Sequence, residues 1–242
     1  MESPSPVLPR RPLLQFSLRT LLIGVALLAA FFAWYARERR LGERERLIAD
    51  MLHQNHCVVV LRSGQHLGQP DIALGHYRIP AAIHKPSWWE RFRNRICGDR
   101  IESIIGREGL TNEQFAAIDS LSAVESLWLS SSLVSELTPL ENLKTLEHLE
   151  LRGCQVRDLA PLAHLPLESL TLSGNPVSDA APLAGLATLR RLDLTGTQVT
   201  DVGPLAHLQV RWLALGRTPL RDLGPLAKLS TLESLSLTGT EV

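Results

Sequence analysis

Three side chains in the first quarter of the chain have the makings of a metal site. His53, His56 and Cys57 form an H-x-x-H-C cluster, and imidazole with thiolate suits zinc. A structural zinc centre shows a second paired set of ligands, and His66, His76 and His84 are too widely spread to supply one. The cluster is therefore read as surface or loop histidines. A second candidate is the row Asp158, Asp179, Asp201 and Asp222, which could suggest calcium. Each acid stands at the same place relative to a proline turn and brings a single carboxylate, so capping of that turn explains the row better than a cation does. His164 and His207 recur at one position of different segments and have no partner nucleophile. The chain contains no phosphate-cradling glycine loop, G-x-S-x-G elbow or H-E-x-x-H helix. The expectation is a chain with no catalytic residues, no cofactor and no metal.

The acids belong to a larger regularity. An L-x-x-L-x-L frame returns down the second half, its middle leucines being Leu127, Leu149, Leu170, Leu192, Leu213 and Leu235, at intervals of 22, 21, 22, 21 and 22 residues. A period in this range means a stacked solenoid. Leu192 and Leu194 are two apart, so a strand points both to one inward face. A small polar residue or cysteine follows at Ser132, Cys154, Asn175, Thr197, Thr218 and Thr240. Its side chain is expected to turn in and satisfy backbone groups exposed by the bend. Next come an acid, at Glu136, Asp158, Asp179, Asp201 and Asp222, and three residues later a proline. An N-capping carboxylate and a proline in the first turn predict a short helical turn on the convex side. Its leucine pairs, such as Leu140 with Leu143 and Leu205 with Leu208, pack one face onto the strand layer.

On these residues the segment 101–242 resembles the leucine-rich repeat family in its short-repeat, internalin-like form, with LxxLxLxxT and D-x-x-P-L. The first copy, from Arg100, is degenerate, with Ile101 and Ile104 in place of leucines. The resemblance implies an α/β horseshoe with a parallel concave sheet that works by presenting a surface.

The first hundred residues differ in kind. From Thr20 to Ala36 no charge occurs over 17 residues, about 26 Å of helix, just enough to span a bilayer. Arginines flank the run on both sides, and Trp34 and Tyr35 stand where an aromatic belt would lie. A cleavable signal peptide is the rival reading. The sites ending at Ala29, Ala30, Ala33 and Ala36 carry Leu, Leu, Phe and Trp at the minus-three place, which favours an uncleaved anchor. The leader QFSLRTLL and the layout after it are similar to a group of bacterial membrane-anchored leucine-rich repeat proteins. Three basic residues before the span and five soon after lean weakly to a cytoplasmic repeat domain, and the side of the membrane stays open.

The expected organisation is a tail over 1–17, a single transmembrane anchor over 18–36, a juxtamembrane helix over 37–56, a small α+β segment over 57–100 capping the solenoid, and repeats over 101–242. In the juxtamembrane helix Leu41, Leu47, Ile48, Met51 and Leu52 form the apolar stripe, and Cys57 to Leu61 is a strand by β-branching. Arg62 to Gly75 reads as a loop, and Ser87 to Glu90 as a capping box opening an amphipathic helix to about Ile96. Cys57 with Cys97 is the one pairing of the three cysteines left open, since Cys154 is a ladder residue. Charge follows the same division. Residues 1–100 hold 15 Lys plus Arg against 8 Asp plus Glu, and residues 101–242 hold 10 against 17. A basic juxtamembrane half suits anionic headgroups, and an acidic repeat half argues against a nucleic-acid surface.

The exposed strand positions are the candidate site. They form three columns: Ser126, His148, Ser169, Arg191, Trp212 and Ser234, then Trp128, Glu150, Thr171, Asp193, Ala214 and Ser236, then Ser130, Arg152, Ser173, Thr195, Gly216 and Thr238. Trp128, His148, Glu150, Arg152, Arg191, Asp193 and Trp212 share one face and mix aromatic anchors with both charge signs, as interface hot spots do. The predicted function is non-catalytic protein–protein binding through this face. The alternatives are a receptor or adhesion module for a non-protein ligand such as a glycan, and an enzyme sited in 57–100, for which no motif speaks. A last expectation concerns Thr238 to Val242, where a strand stands without the turn that follows the others. Leu226 and Leu229 are expected to face water there and to invite self-association or a capping partner.

Overall fold

The computed structural model describes residues 18–54, 57–61, 66–67, 101–106, 110–121 and 123–240. It opens with helix α1, Leu18–Gln54, and continues with strands β1 (Val58–Leu61), β2 (His66–Leu67) and β3 (Ile101–Gly106) and the short helix α2 (Asn112–Ala116). Strands β4 (Ser126–Ser130), β5 (His148–Arg152), β6 (Ser169–Thr171), β7 (Arg191–Asp193), β8 (Trp212–Ala214) and β9 (Ser234–Ser236) follow, each separated from the next by a 3-10 turn. The nine strands among the described residues join one sheet in the order β2-β1-β3-β4-β5-β6-β7-β8-β9. Pairing is antiparallel at β2, β1 and β3 and parallel from β3 to β9. This is the parallel repeat sheet that the spacing predicts.

The reason for the stacking is visible in the side chains. The inward leucines Leu127 and Leu129, Leu149 and Leu151, Leu170 and Leu172, Leu192 and Leu194, and Leu213 and Leu215 are all buried in one continuous core. The turn leucines, among them Leu140, Leu143, Leu162, Leu183, Leu186 and Leu205, close that core from the convex side. A single repeat exposes both flanks of its leucines, so only neighbours above and below remove them from water.

The ladder residues do what the bend requires. Thr197, Thr218 and Thr240 each donate a hydroxyl hydrogen bond to the carbonyl three residues earlier. Asn175 does more: its amide donates to the Leu151 and Leu172 carbonyls, and its oxygen accepts from the Val156 N–H. Ser132 Oγ and Cys154 Sγ lie 3.1 Å apart in the same ladder. Stacking is close enough on the convex side that a Cβ on Gly185 would sit 2.7 Å from the Ala163 carbonyl oxygen.

The acids cap the convex turns, although one residue earlier than expected. Asp158, Asp179, Asp201 and Asp222 each accept from the N–H two residues on, at 2.7–2.8 Å, while the N-cap position is held by Leu159, Ala180, Val202 and Leu223. The carboxylate thus engages the first N–H of the turn, one residue ahead of the proline. Glu136 departs from the row, its backbone N–H donating to Asn112 Oδ1.

The N-terminal part corrects several expectations. One of its expectations is not among these: the juxtamembrane helix runs on from the segment of 18–36 as one helix to Gln54, the stalk-like extension that its helical spacing allows. Among the described residues no helix is long and apolar enough to cross a membrane; α1 runs from its apolar first half straight into a charged second half. Leu47 is exposed and does not belong to the packing stripe, whereas Glu45, Ile48, Ala49 and Leu52 are buried. A 3.6-residue period carries the buried face through 41, 45, 48 and 52 and turns 47 outward. The stretch read as a loop from Arg62 contains strand β2, which pairs Leu67 with Val59 and His66 with Val60. The proposed capping helix at 87–96 and Cys97 lie outside the described residues. Among those described, α1 performs the capping: Ile48, Ala49 and Leu52 enter the solenoid core, and Glu45 Oε2 accepts from the Ile101 N–H at 3.0 Å, at the first residue of β3.

At the other end the exposure falls elsewhere than expected. Leu226 and Leu229 are buried, and it is Leu235 of β9 that faces water. Leu232 and Leu237, partly buried, pack against the same core.

Candidate functional site

The concave columns stand in the register their spacing implies. Ser126 pairs with His148, Trp128 with Glu150 and Ser130 with Arg152; His148 then pairs with Ser169 and Glu150 with Thr171. The rows continue through Arg191 and Asp193, Trp212 and Ala214, and Ser234 and Ser236. Beyond the three-residue strands the third column is held by backbone bonds, Gly174 N–H to the Thr195 carbonyl and Gly196 N–H to the Gly216 carbonyl among them. Antiparallel β1 and parallel β3 extend the face by Ser103 beside Ser126 and Ile105 beside Trp128.

The seven candidate residues share this face at three depths. Glu150 and Asp193 are buried, Trp128 and His148 half-buried, and Arg152, Arg191 and Trp212 exposed. The middle column from Glu150 to Asp193 is therefore a polar floor, with Trp128 at one end and longer side chains of the outer columns beside it. Arg152 Nε lies 2.5 Å from Glu150 Oε1, two residues away on the same face. Asp193 accepts from the Thr195 N–H at 2.9 Å, which sets its carboxylate along the floor. Burial pushes the Glu150 carboxyl above its ordinary range; the Arg152 guanidinium draws it back in part, and the charge of Asp193, two strands away, pushes it up again. The floor thus holds carboxylates partly stripped of water, and a cationic or hydrogen-bond-donating group gains most by meeting them.

Of the histidine–cysteine cluster of the sequence, only the Cys57 side chain is among those described. Cys57 is buried in the core, where desolvation pushes its thiol up to about 11. His56 lies outside the described residues.

Two groups escaped the sequence reading. Glu45 is one, although its signal was present: a carboxylate spaced four and three residues from Leu41 and Ile48 sits on the packing stripe. The other is the residue just before each strand: Glu125, Glu147, Glu168, Arg190, Arg211 and Glu233. Each donates its backbone N–H to the carbonyl of the one before, at 2.8–2.9 Å from Glu147 onward, so they form a charged row along one rim of the sheet.

With the frame, the ladder and the register in place, the chain can be set beside known proteins. Residues 185–204 match the family model for the leucine-rich repeat. That segment is a leucine-rich repeat. Among solved structures the chain is similar to internalin C2 of Listeria monocytogenes, with 33% identity, a TM-score of 0.55, and coverage of 58% of this chain and 62% of that one. An internalin of the same organism, InlF, is 25% identical over 56% of this chain and 40% of its own, with a TM-score of 0.49. A leucine-rich repeat protein of Leptospira interrogans is 21% identical over 52% of this chain and 40% of its own, with a TM-score of 0.42. The chain therefore spans less than two thirds of these relatives' length. No curated protein matches it. The likeness to internalin C2 is one of fold, and the leucine-rich repeat is generally a binding module.

Proposed function

We propose that this chain is a non-catalytic leucine-rich repeat module that binds a protein partner on its concave face. The observation that carries the reading is the recessed floor of Glu150, Thr171 and Asp193 flanked by Trp128, Arg152, Arg191 and Trp212. Such a floor suits a partner loop or strand that presents a Lys, Arg or amide between apolar side chains, because buried polar groups must be answered and aromatic walls supply area. Photo-crosslinkers placed at Ser169 and, as a control, at the convex Ala184 of the full chain test it. Crosslinked partner only at Ser169, lost in Thr171→Arg, supports the reading; equal capture at both positions sinks it. A glycan ligand is the second reading, favoured by the two tryptophans, and binding of the full chain to an immobilised glycan set that Trp212→Ala abolishes would replace the first.

The same reading includes attachment to a membrane through 18–36. Its support is the exposure of Ile23, Val25, Leu27, Leu28, Phe31 and Phe32 around the first half of α1, together with the flanking arginines. Large apolar side chains exposed in such number demand cover. Sealed membranes carrying the full chain should keep it after a carbonate wash and lose it when residues 1–36 are deleted; release of the intact chain by the wash would end this part of the proposal.

A further inference from the structure

The rim row carries an order of charges that the concave columns do not. Across four successive repeats it reads Glu147, Glu168, Arg190, Arg211, tied into one line by the Glu168, Arg190 and Arg211 N–H groups, each 2.8 Å from the carbonyl before it. All four side chains are exposed. At the spacing of neighbouring strands the four span about 14 Å. Read backwards with its signs inverted, this run of four is unchanged; the outer members of the row, Glu125 and Glu233, would meet as two like pairs against the four unlike ones. Such a run of four is complementary to itself under a two-fold axis and under no parallel superposition.

We propose that this rim pairs with the same rim of a second copy of the chain, running antiparallel about an axis between Glu168 and Arg190. The arrangement sets Glu168 against Arg190 of the second copy and Glu147 against Arg211, and by symmetry each pair forms twice. A carboxylate and a guanidinium make charge-assisted, often bidentate hydrogen bonds, and four such pairs in one line form a network where one isolated pair would count for little. The intramolecular competitors are weak. Arg211 Nη1 lies 3.4 Å from Glu233 Oε1, with both side chains about two-thirds exposed, a pair that solvent already screens. Arg190 commits one N–H to the Gln209 carbonyl at 3.2 Å and keeps the rest of its fork for an acceptor. An unrelated partner would need four charges in the inverse order and at strand spacing, whereas a second copy supplies them by construction. The rim lies beside the concave floor and not on it, so the proposal goes beyond the binding reading and can fail or hold independently.

Sedimentation of the full chain in a nonionic detergent tests it. The expected result is a dimer at low ionic strength that dissociates as salt rises. Arg190→Glu with Arg211→Glu should weaken self-association on the order of tenfold or more, as should Glu147→Arg with Glu168→Arg. Mixing these two double variants should give a heterodimer, and the fourfold swap, which restores the inverted order, should dimerise again. Far-ultraviolet circular dichroism confirms that each variant keeps the fold, and the fourfold swap recovers the function only if charge order is the cause. Thr171→Arg on the concave floor should leave the dimer constant unchanged while blocking the concave partner. A wild-type monomer at low salt, an association indifferent to both double reversals, or double variants that do not pair when mixed would overturn the proposal.

Discussion

The two ends of the solenoid hold similar residues and treat them differently. At the N-terminal end Ile101 and Ile104 of β3 are 1% and 0% exposed, covered by β1 and by the second half of α1. At the C-terminal end Leu235 occupies the frame position of Leu192, yet it is 40% exposed where Leu192 is 0%. The strand phase is the same and the register unbroken, so the difference comes from neighbours alone. Burial in a solenoid is a property of adjacency: a leucine between two repeats is core, and the same leucine beside one repeat is half surface. The N-terminal end achieves adjacency with foreign elements, an antiparallel hairpin and a helix. Glu45 shows what that requires, because the first strand of the parallel run has a backbone N–H that no preceding repeat can bond, and a carboxylate from α1 answers it.

The largest effect that tests this contrast is a pair of equal truncations. Leu192→Ala should cost roughly 2–5 kcal/mol, the range for an enclosed leucine, and Leu235→Ala about 1–2 kcal/mol, since less apolar area leaves water there. Denaturant unfolding of both variants decides it, and equal losses would show that neighbours are not the cause. Next comes the cap. Glu45→Ala leaves the Ile101 N–H buried without its acceptor and should cost about 1–3 kcal/mol, with Glu45→Gln losing less because an amide oxygen still accepts. Hydrogen exchange should show the loss first in β3, and protection unchanged there would mean that α1 does not seal this end.

A smaller test sharpens the comparison within the inner repeats. The bend after each strand uses a left-handed residue, and Gly196 at φ 68° and Arg217 at φ 53° hold that place in successive repeats. Arg217→Gly should stabilise by about 0.5–1 kcal/mol, and Gly196→Ala should destabilise by about 1–2 kcal/mol, because a Cβ is penalised in that region. Thermal melts of the two variants should shift in opposite directions. The smallest change is a pH dependence on the concave floor. The carboxyl of Glu150 is raised in the folded state, chiefly by burial, so folding holds its proton more tightly than the unfolded chain does. Its ionised form therefore lowers stability at neutral pH, and this cost vanishes as pH falls below the ordinary carboxylate range. Glu150→Gln should gain stability at neutral pH relative to the parent and lose that advantage in acid. A variant with the same deficit or gain at every pH would contradict the stated cause.

Periodicity alone determined the fold of the repeats, because every leucine, ladder residue and proline recurs at a fixed offset and a period near 22 residues admits one way to stack. The three concave columns followed from the same arithmetic, since a two-residue side-chain period and a constant repeat length place Trp128, Glu150, Thr171 and Asp193 side by side without further information. Depth did not follow. That Glu150 and Asp193 are recessed while Arg191 and Trp212 stand out depends on which neighbours overhang them, a tertiary quantity. The continuation of α1 from an apolar half into a capping half, the strand at His66–Leu67 and the bond from Glu45 to Ile101 likewise needed the folded chain, for they link segments as far as 56 residues apart. A repeat encodes its contacts in its own period, so they can be read locally. The cap encodes its contacts in a meeting of unlike elements, and only their packing decides which residues meet.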